Sequence, residues 1–118
     1  MTILCNNAGA NFRVSFDDQT EEMWHTVMNI GLTGAFLVIK AAVPAMRRAG
    51  GGAIVNMGSL ASTRSGGGSL AYGASKAALG MITKVLALEW GGRGVTVNAV
   101  APTVILTPMG ERGWGDPV

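Results

Sequence analysis

Apolar residues fall along this chain in two alternating rhythms. Short apolar runs at residues 2–5, 53–57 and 95–100 are bounded by glycine or turn-forming residues, with Asn6, Asn7 and Gly9 closing the first. Runs of that length between turn signals predict buried β-strands. Between them the period lengthens: Met23, Val27, Ile30, Gly34, Leu37, Val38, Ala41 and Ala45 recur near helical spacing. They predict one long helix over residues 18–49, bent at Pro44 or around Gly31 to Gly34 and stopped by Gly50, Gly51 and Gly52. Asp18 and Glu21 have capping-box spacing at its start, and Glu22 adds negative charge to the first turn. A second helix is predicted from Ser69, as its cap, to about Trp90, with Gly91 and Gly92 as stop signals.

Apolar strands separated by long helices imply parallel strands joined by crossover helices, an α/β layered sheet. Right-handed crossovers place helices on the sheet's faces. In such sheets chemistry collects beyond the carboxyl ends of the strands. Those ends are residues 6–9, 58–62 and 101–107, three distant stretches that should converge on one edge.

Composition narrows the class. A chain of 118 residues is one domain's worth. Charged residues make up 14% and hydrophobic ones 48%, a balance that excludes disorder and argues against a coiled coil. The longest nearly unbroken apolar stretch, residues 30–39, is too short to span a bilayer, and the amino end lacks the basic-then-apolar pattern of a signal peptide. The net charge is +2, but its nine cations are scattered, with only Arg47 and Arg48 adjacent. A nucleic-acid surface needs clustered cations. Cys5 is the only cysteine, which leaves no disulfide framework or thiolate zinc site. It reads as a small apolar residue in a buried strand and fits a reducing cytoplasm.

Candidate chemistry gathers at the second helix. Tyr72 and Lys76 stand four apart near its start, so both lie on one helical face. A phenol has a reference pKa near 10, and a neighbouring ammonium favours its phenolate, drawing it toward acid–base work at neutral pH. Ser59, at the carboxyl end of the second strand, is placed to orient a substrate carbonyl beside that phenol. Other candidates have plainer readings. His25 lies on a helix flank without partners, and with no second histidine or cysteine cluster no catalytic metal site can be built. Asp17, Asp18, Glu21 and Glu22 read as capping and solvated charge. Gly66 to Ala71 formally fits a Gly-x-Gly-x-x-Ala fingerprint, but no strand precedes it. It reads instead as a flexible loop flanking a substrate pocket.

A Tyr-x-x-x-Lys pair alone is a weak signal. Here it comes with Leu4, Cys5, Asn6, Asn7, Ala8 and Gly9 at the first strand end, with Ser59, and with Val97, Asn98, Ala99, Val100, Ala101 and Pro102 through Thr107. Together these resemble the short-chain dehydrogenase/reductase family over nearly the whole chain. The resemblance implies the second half of a Rossmann-like, doubly wound parallel sheet, about three strands with crossover helices. It also implies hydride transfer between NAD or NADP and a small carbonyl or alcohol. By the family pattern Tyr72 is the general acid or base. Lys76 holds the nicotinamide ribose and depresses the tyrosine pKa, and Ser59 hydrogen-bonds the substrate oxygen. Asn7, Ala8 and Gly9 match the turn beside the cofactor, with Pro102, Ile105 and Thr107 closing on the carboxamide. Residues 102–110 are similar to those of L-xylulose and carbonyl reductases, which puts NADPH ahead and favours a sugar, polyol or small carbonyl. In the family the two long helices pair across a dimer interface, which implies a homo-oligomer.

Two features depart from the family pattern. An asparagine usually stands seven residues after the tryptophan matching Trp24, where it helps hold a water for the proton relay; Gly31 occupies that position. Asn29 is about 200° around the helix from it and points away. Distortion of the helix at Gly31 would leave backbone carbonyls to hold the water. The family's opening strand and glycine-rich pyrophosphate turn are also missing. Residues 1–118 are therefore expected to be a partial domain with an exposed edge at the first strand, with an oligomerisation or docking module, or no independent function, as the alternative.

Overall fold

The computed structural model describes residues 1–64 and 66–114. Three parallel strands, β1 (Ile3–Asn6), β2 (Gly52–Met57) and β3 (Val95–Val100), form one sheet in the order β1-β2-β3. Ile3 pairs with Ala53 and Asn6 with Asn56; Gly52 pairs with Val95 and Met57 with Val100. The carboxyl ends of all three strands are thus in step. Between β1 and β2 run α1 (Glu21–Met28), a π-helical turn (Asn29–Thr33) and α2 (Gly34–Arg48); between β2 and β3 runs α3 (Leu70–Trp90). The chain is the three-strand, half-Rossmann α/β unit that the apolar pattern and the family resemblance imply.

Strand order also decides where the helices lie. Both right-handed crossovers advance the sheet in one direction, so α2 and α3 pack on the same face. Ile54, Val95 and Val97 point into that layer against Ile39, Ala42, Val43 and Met46 of α2, with Leu86, Ala87 and Trp90 of α3 packed alongside. On the opposite face Ile3 is 71% exposed and Val100 46%. Cys5, expected to be buried, is exposed there. Its strand is an edge, and alternation turns its side chain away from the helices.

The helix ends also differ from expectation. The first helix begins at Glu21, capped by Thr20, whose Oγ1 accepts from the Met23 N–H at 3.1 Å. Asp18 is held one turn earlier, accepting from the Ser15 hydroxyl at 2.6 Å, while the Gln19 N–H closes a turn onto Phe16. That turn precludes a capping box from Asp18. Ser69 makes no side-chain cap, because its backbone (φ −135°, ψ 41°) lies outside the extended geometry a cap requires. The bend expected at Pro44 or near Gly31 falls at the second site: α2 runs through Pro44, and the ladder widens at Asn29–Thr33.

The continuous helix Glu21–Arg48 contains a window long and apolar enough, by length and composition, to cross a membrane, with a mean hydropathy of 1.6 over that window. The ten-residue stretch alone had implied too short a span. Burial of Ile39 and Met46 against the sheet gives it the place of a core helix. A last helix, α4 (Pro108–Trp114), follows β3. It was not anticipated, although Thr107 followed by Pro108 is a cap-and-first-position pair.

A buried polar chain joins the sheet to α3. Asn6 Nδ2 donates to Asn56 Oδ1 at 2.9 Å, Asn56 Nδ2 donates to Thr83 Oγ1 at 3.0 Å, and the Thr83 hydroxyl donates to the Leu79 carbonyl at 2.8 Å. Asn56 has no accessible surface. Removing its amide strands partners that water cannot reach, at a cost of about 1–3 kcal/mol. We expect Asn56→Ala to lower stability in urea denaturation by that amount, while Thr96→Ala on the open face changes it by less than about 0.5 kcal/mol. Equal effects of the two substitutions would refute a structural role for the chain.

Candidate active site

The three carboxyl ends open into one cavity of about 880 Å3. Asn7, Ala8 and Gly9 enter from β1, Ser59 from β2, Tyr72 and Lys76 from α3, and Pro102, Ile105 and Thr107 from the segment after β3. Every residue singled out in the sequence as catalytic or cofactor-binding lines this space.

Close backbone approaches bring the pieces together. The Gly58 N–H donates to the Val100 carbonyl at 2.8 Å, and a Cβ at Gly58 would lie 2.9 Å from that oxygen. Only glycine lets β2 and β3 converge there. The Leu60 N–H donates to the Pro102 carbonyl at 2.9 Å, tying the Ser59 turn to the segment after β3. At Gly73 a Cβ would come within 3.2 Å of the Ala61 carbonyl, so the first turn of α3 lies directly on the Ser59 turn.

Ser59 is 8% exposed, and its Oγ accepts from the Ala61 N–H at 3.1 Å. That bond uses one lone pair and leaves the hydroxyl proton to donate into the cavity. Tyr72 is half-buried in the cavity wall. The Lys76 ammonium stands 5.6 Å from the centroid of its ring and donates to the Met57 carbonyl at 2.6 Å. Lys76 is only 3% exposed, and burial pushes its pKa below the ordinary lysine value.

A nicotinamide cofactor fits these residues on one structural observation: the bare backbone of Gly9 lies against the Lys76 ammonium, where a Cβ would come to 3.7 Å of Nζ. A ligand can therefore run along the Asn7–Gly9 backbone and meet a buried cation. Gly31 is buried beside the same helix, with a would-be Cβ 3.3 Å from Ser75 Oγ; the Ser75 hydroxyl donates to the Tyr72 carbonyl at 2.8 Å. The π-helical turn thus faces the turn of α3 that carries Tyr72 and Lys76.

Three cavity residues had no signal in the sequence. Asn11 and Arg13 come from the loop after β1, and Arg64 from the loop before α3. No motif marks them, and the arginines read as scattered charge until the loops meet. The Val14 N–H donates to the Gly68 carbonyl at 3.0 Å, which brings those loops together. Gly66 and Gly67 line the cavity as the pocket-flanking loop that the sequence suggested. His25 is on the helix surface as expected, but it does have a partner: its Nε2 stands 3.3 Å from Glu21 Oε1, one helical turn away.

Comparison with known proteins places the same fold among dehydrogenases and reductases. D-threitol dehydrogenase of Mycolicibacterium smegmatis is 44% identical over 115 residues, covering 98% of this chain and 44% of that protein. L-xylulose reductase of Mus musculus is 40% identical over 116 residues, covering 98% and 48%. The crystal structure of a gluconate 5-dehydrogenase from Burkholderia cenocepacia, in complex with NADP and tartrate, superposes with a TM-score of 0.94 at 32% identity, covering all of this chain and 46% of that one. The chain spans less than half the length of each of these relatives. The family model of short chain dehydrogenases matches residues 1–116, and the chain belongs to that family.

Proposed function

We propose that the protein is an NAD(P)-dependent oxidoreductase that interconverts a carbonyl and an alcohol on a sugar, polyol or small carbonyl compound, with Ser59, Tyr72 and Lys76 as its catalytic residues. The convergence of these three on one cavity with Asn7, Ala8, Gly9, Pro102, Ile105 and Thr107 is the observation that supports this reading. When bound, the cofactor supplies or accepts hydride at the reacting carbon. In reduction the Tyr72 hydroxyl gives its proton to the carbonyl oxygen, and the Ser59 hydroxyl donates a hydrogen bond to the same atom. The product is the alcohol, and the phenolate recovers its proton from solvent. Lys76, buried beside the phenol with its ammonium on the Met57 carbonyl, would bond the nicotinamide ribose hydroxyls. Pro102, Ile105 and Thr107 would close over the carboxamide.

The same reading takes residues 1–118 as part of a dinucleotide-binding domain that works as a homo-oligomer in a reducing cytoplasm. Phe36 and Leu37 of α2 and Met81 and Leu88 of α3 are exposed, Leu88 at 87%, and suit a second copy docked on the two long helices. The single thiol, exposed at Cys5, suits the compartment.

Three measurements test the site. Tyr72→Phe should lower kcat for carbonyl reduction by about 10²–10⁴-fold with little change in cofactor affinity; activity near wild type would end this assignment. Gly31→Asn should leave turnover and cofactor affinity unchanged if the distorted helix stands in for the relay asparagine, and a rise in turnover at constant cofactor affinity would count against it. The third follows from burial of Lys76, which lowers its pKa in the folded protein from the ordinary 10.5. Between those two values the unfolded chain binds more protons, so stability rises with pH. Wild type should gain stability relative to Lys76→Met as the pH is raised from neutral toward 10.5, and a constant difference would contradict a buried, titrating ammonium.

A further inference from the structure

Tyr72 stands in the opening turn of α3, and that turn begins without a side-chain cap. Three glycines, Gly66, Gly67 and Gly68, lead into it. A helix start whose first N–H groups lack partners tends to fray, yet the phenol has to keep one place beside Lys76 in the cavity. Two contacts hold the turn. The Ala61 carbonyl lies against Gly73 from the side of the Ser59 turn. From within the helix, the Ser75 hydroxyl donates to the Tyr72 carbonyl at 2.8 Å. Serines commonly make such local bonds in helices, where water competes for the hydroxyl. Here water has no access: Ser75 is 1% exposed, and the bare Gly31 of the π-helical turn lies so close that a Cβ there would stand 3.3 Å from the same Oγ. The main-chain oxygen of Tyr72 is the acceptor left for that proton.

Resting on the oxidoreductase reading of the cavity, we infer that Ser75 is a positioning residue: its buried hydroxyl holds the main chain of Tyr72 and so fixes where the phenol meets the substrate oxygen. Ser75 does not itself line the cavity and touches no reacting atom. Its neighbour Lys76 has a separate anchor on the Met57 carbonyl at 2.6 Å. Loss of the Ser75 bond therefore loosens the tyrosine and leaves the lysine in place. The step that suffers is the proton transfer at Tyr72, while binding along Asn7, Ala8, Gly9 and Lys76 is kept.

Amide hydrogen exchange tests the hold on the turn without any turnover. The Gly73 N–H donates to the Ser69 carbonyl at 2.9 Å. In Ser75→Ala that amide should exchange about 10-fold faster, with the later turns of α3 unchanged. Kinetics test the consequence, with diacetyl as the carbonyl and NADPH as the reductant. Ser75→Ala should lower kcat about 10-fold, the scale on which a slightly misplaced group costs rate, with KM for diacetyl and Kd for NADPH held. The solvent deuterium isotope effect on kcat should rise, because proton transfer from Tyr72 becomes the slow step; a purely structural loss would leave it where it was. Ser75→Thr keeps a hydroxyl able to bond the preceding turn and should restore both readouts. Ser75→Cys keeps the volume but is a weak donor, and should behave as the alanine variant does. Unchanged exchange at Gly73 in Ser75→Ala would overturn the inference whatever the kinetics, and so would a cysteine variant indistinguishable from wild type. If the wild type fails to reduce diacetyl while exchange still accelerates in Ser75→Ala, the hold on Tyr72 is supported and the failure counts against the oxidoreductase reading alone.

Discussion

Asn56 is fully buried at the centre of the sheet, and both ends of its amide are used, one by Asn6 and one by Thr83. A buried amide is tolerated only when it is satisfied, so the bonds can form in one arrangement: β1 in register with β2, and α3 at a fixed height on the sheet. The site depends on that arrangement. Asn6 is the residue before the Asn7–Gly9 turn, Asn56 stands three before Ser59, and Thr83 lies two turns along α3 from Lys76. A slip of either contact would separate the three groups that share the cavity.

Above this anchor the carboxyl edge is drawn together by backbone, with side chains removed where strands and turns meet. Gly58 lets β2 touch β3, and Gly73 lets α3 touch the Ser59 turn. The edge then holds a buried ammonium on a main-chain carbonyl beside a phenol, and a serine hydroxyl whose proton is not used by the Ala61 bond. Burial weakens the hold of Lys76 on its proton, while the hydrogen bond to Met57 keeps the side chain in place. Position here comes from rigid elements. The loops that carry Asn11, Arg13 and Arg64 complete the cavity wall.

The two faces of the sheet are unequal. Sequential strand order sends both crossovers to one side, so one face builds the core and the other shows Ile3, Cys5 and Val100 to solvent. The helical layer is apolar on its outer side as well, at Phe36, Leu37, Met81 and Leu88. This one unit therefore carries apolar surface on both flanks and its polar chemistry along a single edge.

By itself the sequence determined the three strands, the two long helices and the parallel α/β class, because apolar period and glycine stops are local properties of the chain. Through its resemblance to the family pattern it also marked Ser59, Tyr72 and Lys76 and the flanking turns as candidates, and the fold gathers them on one cavity. Tertiary structure decided what depends on how distant segments meet. Cys5 is exposed because strand order leaves its face bare, and Thr20 caps the first helix because a turn at Phe16 to Gln19 holds Asp18 elsewhere. The helix yields at Asn29–Thr33 and runs on through Pro44. Arg13 and Arg64 are fifty-one positions apart and belong to no motif. They line one cavity only after two parallel strands and a crossover bring their loops side by side, and the closeness of segments so far apart in sequence is a property of that packing.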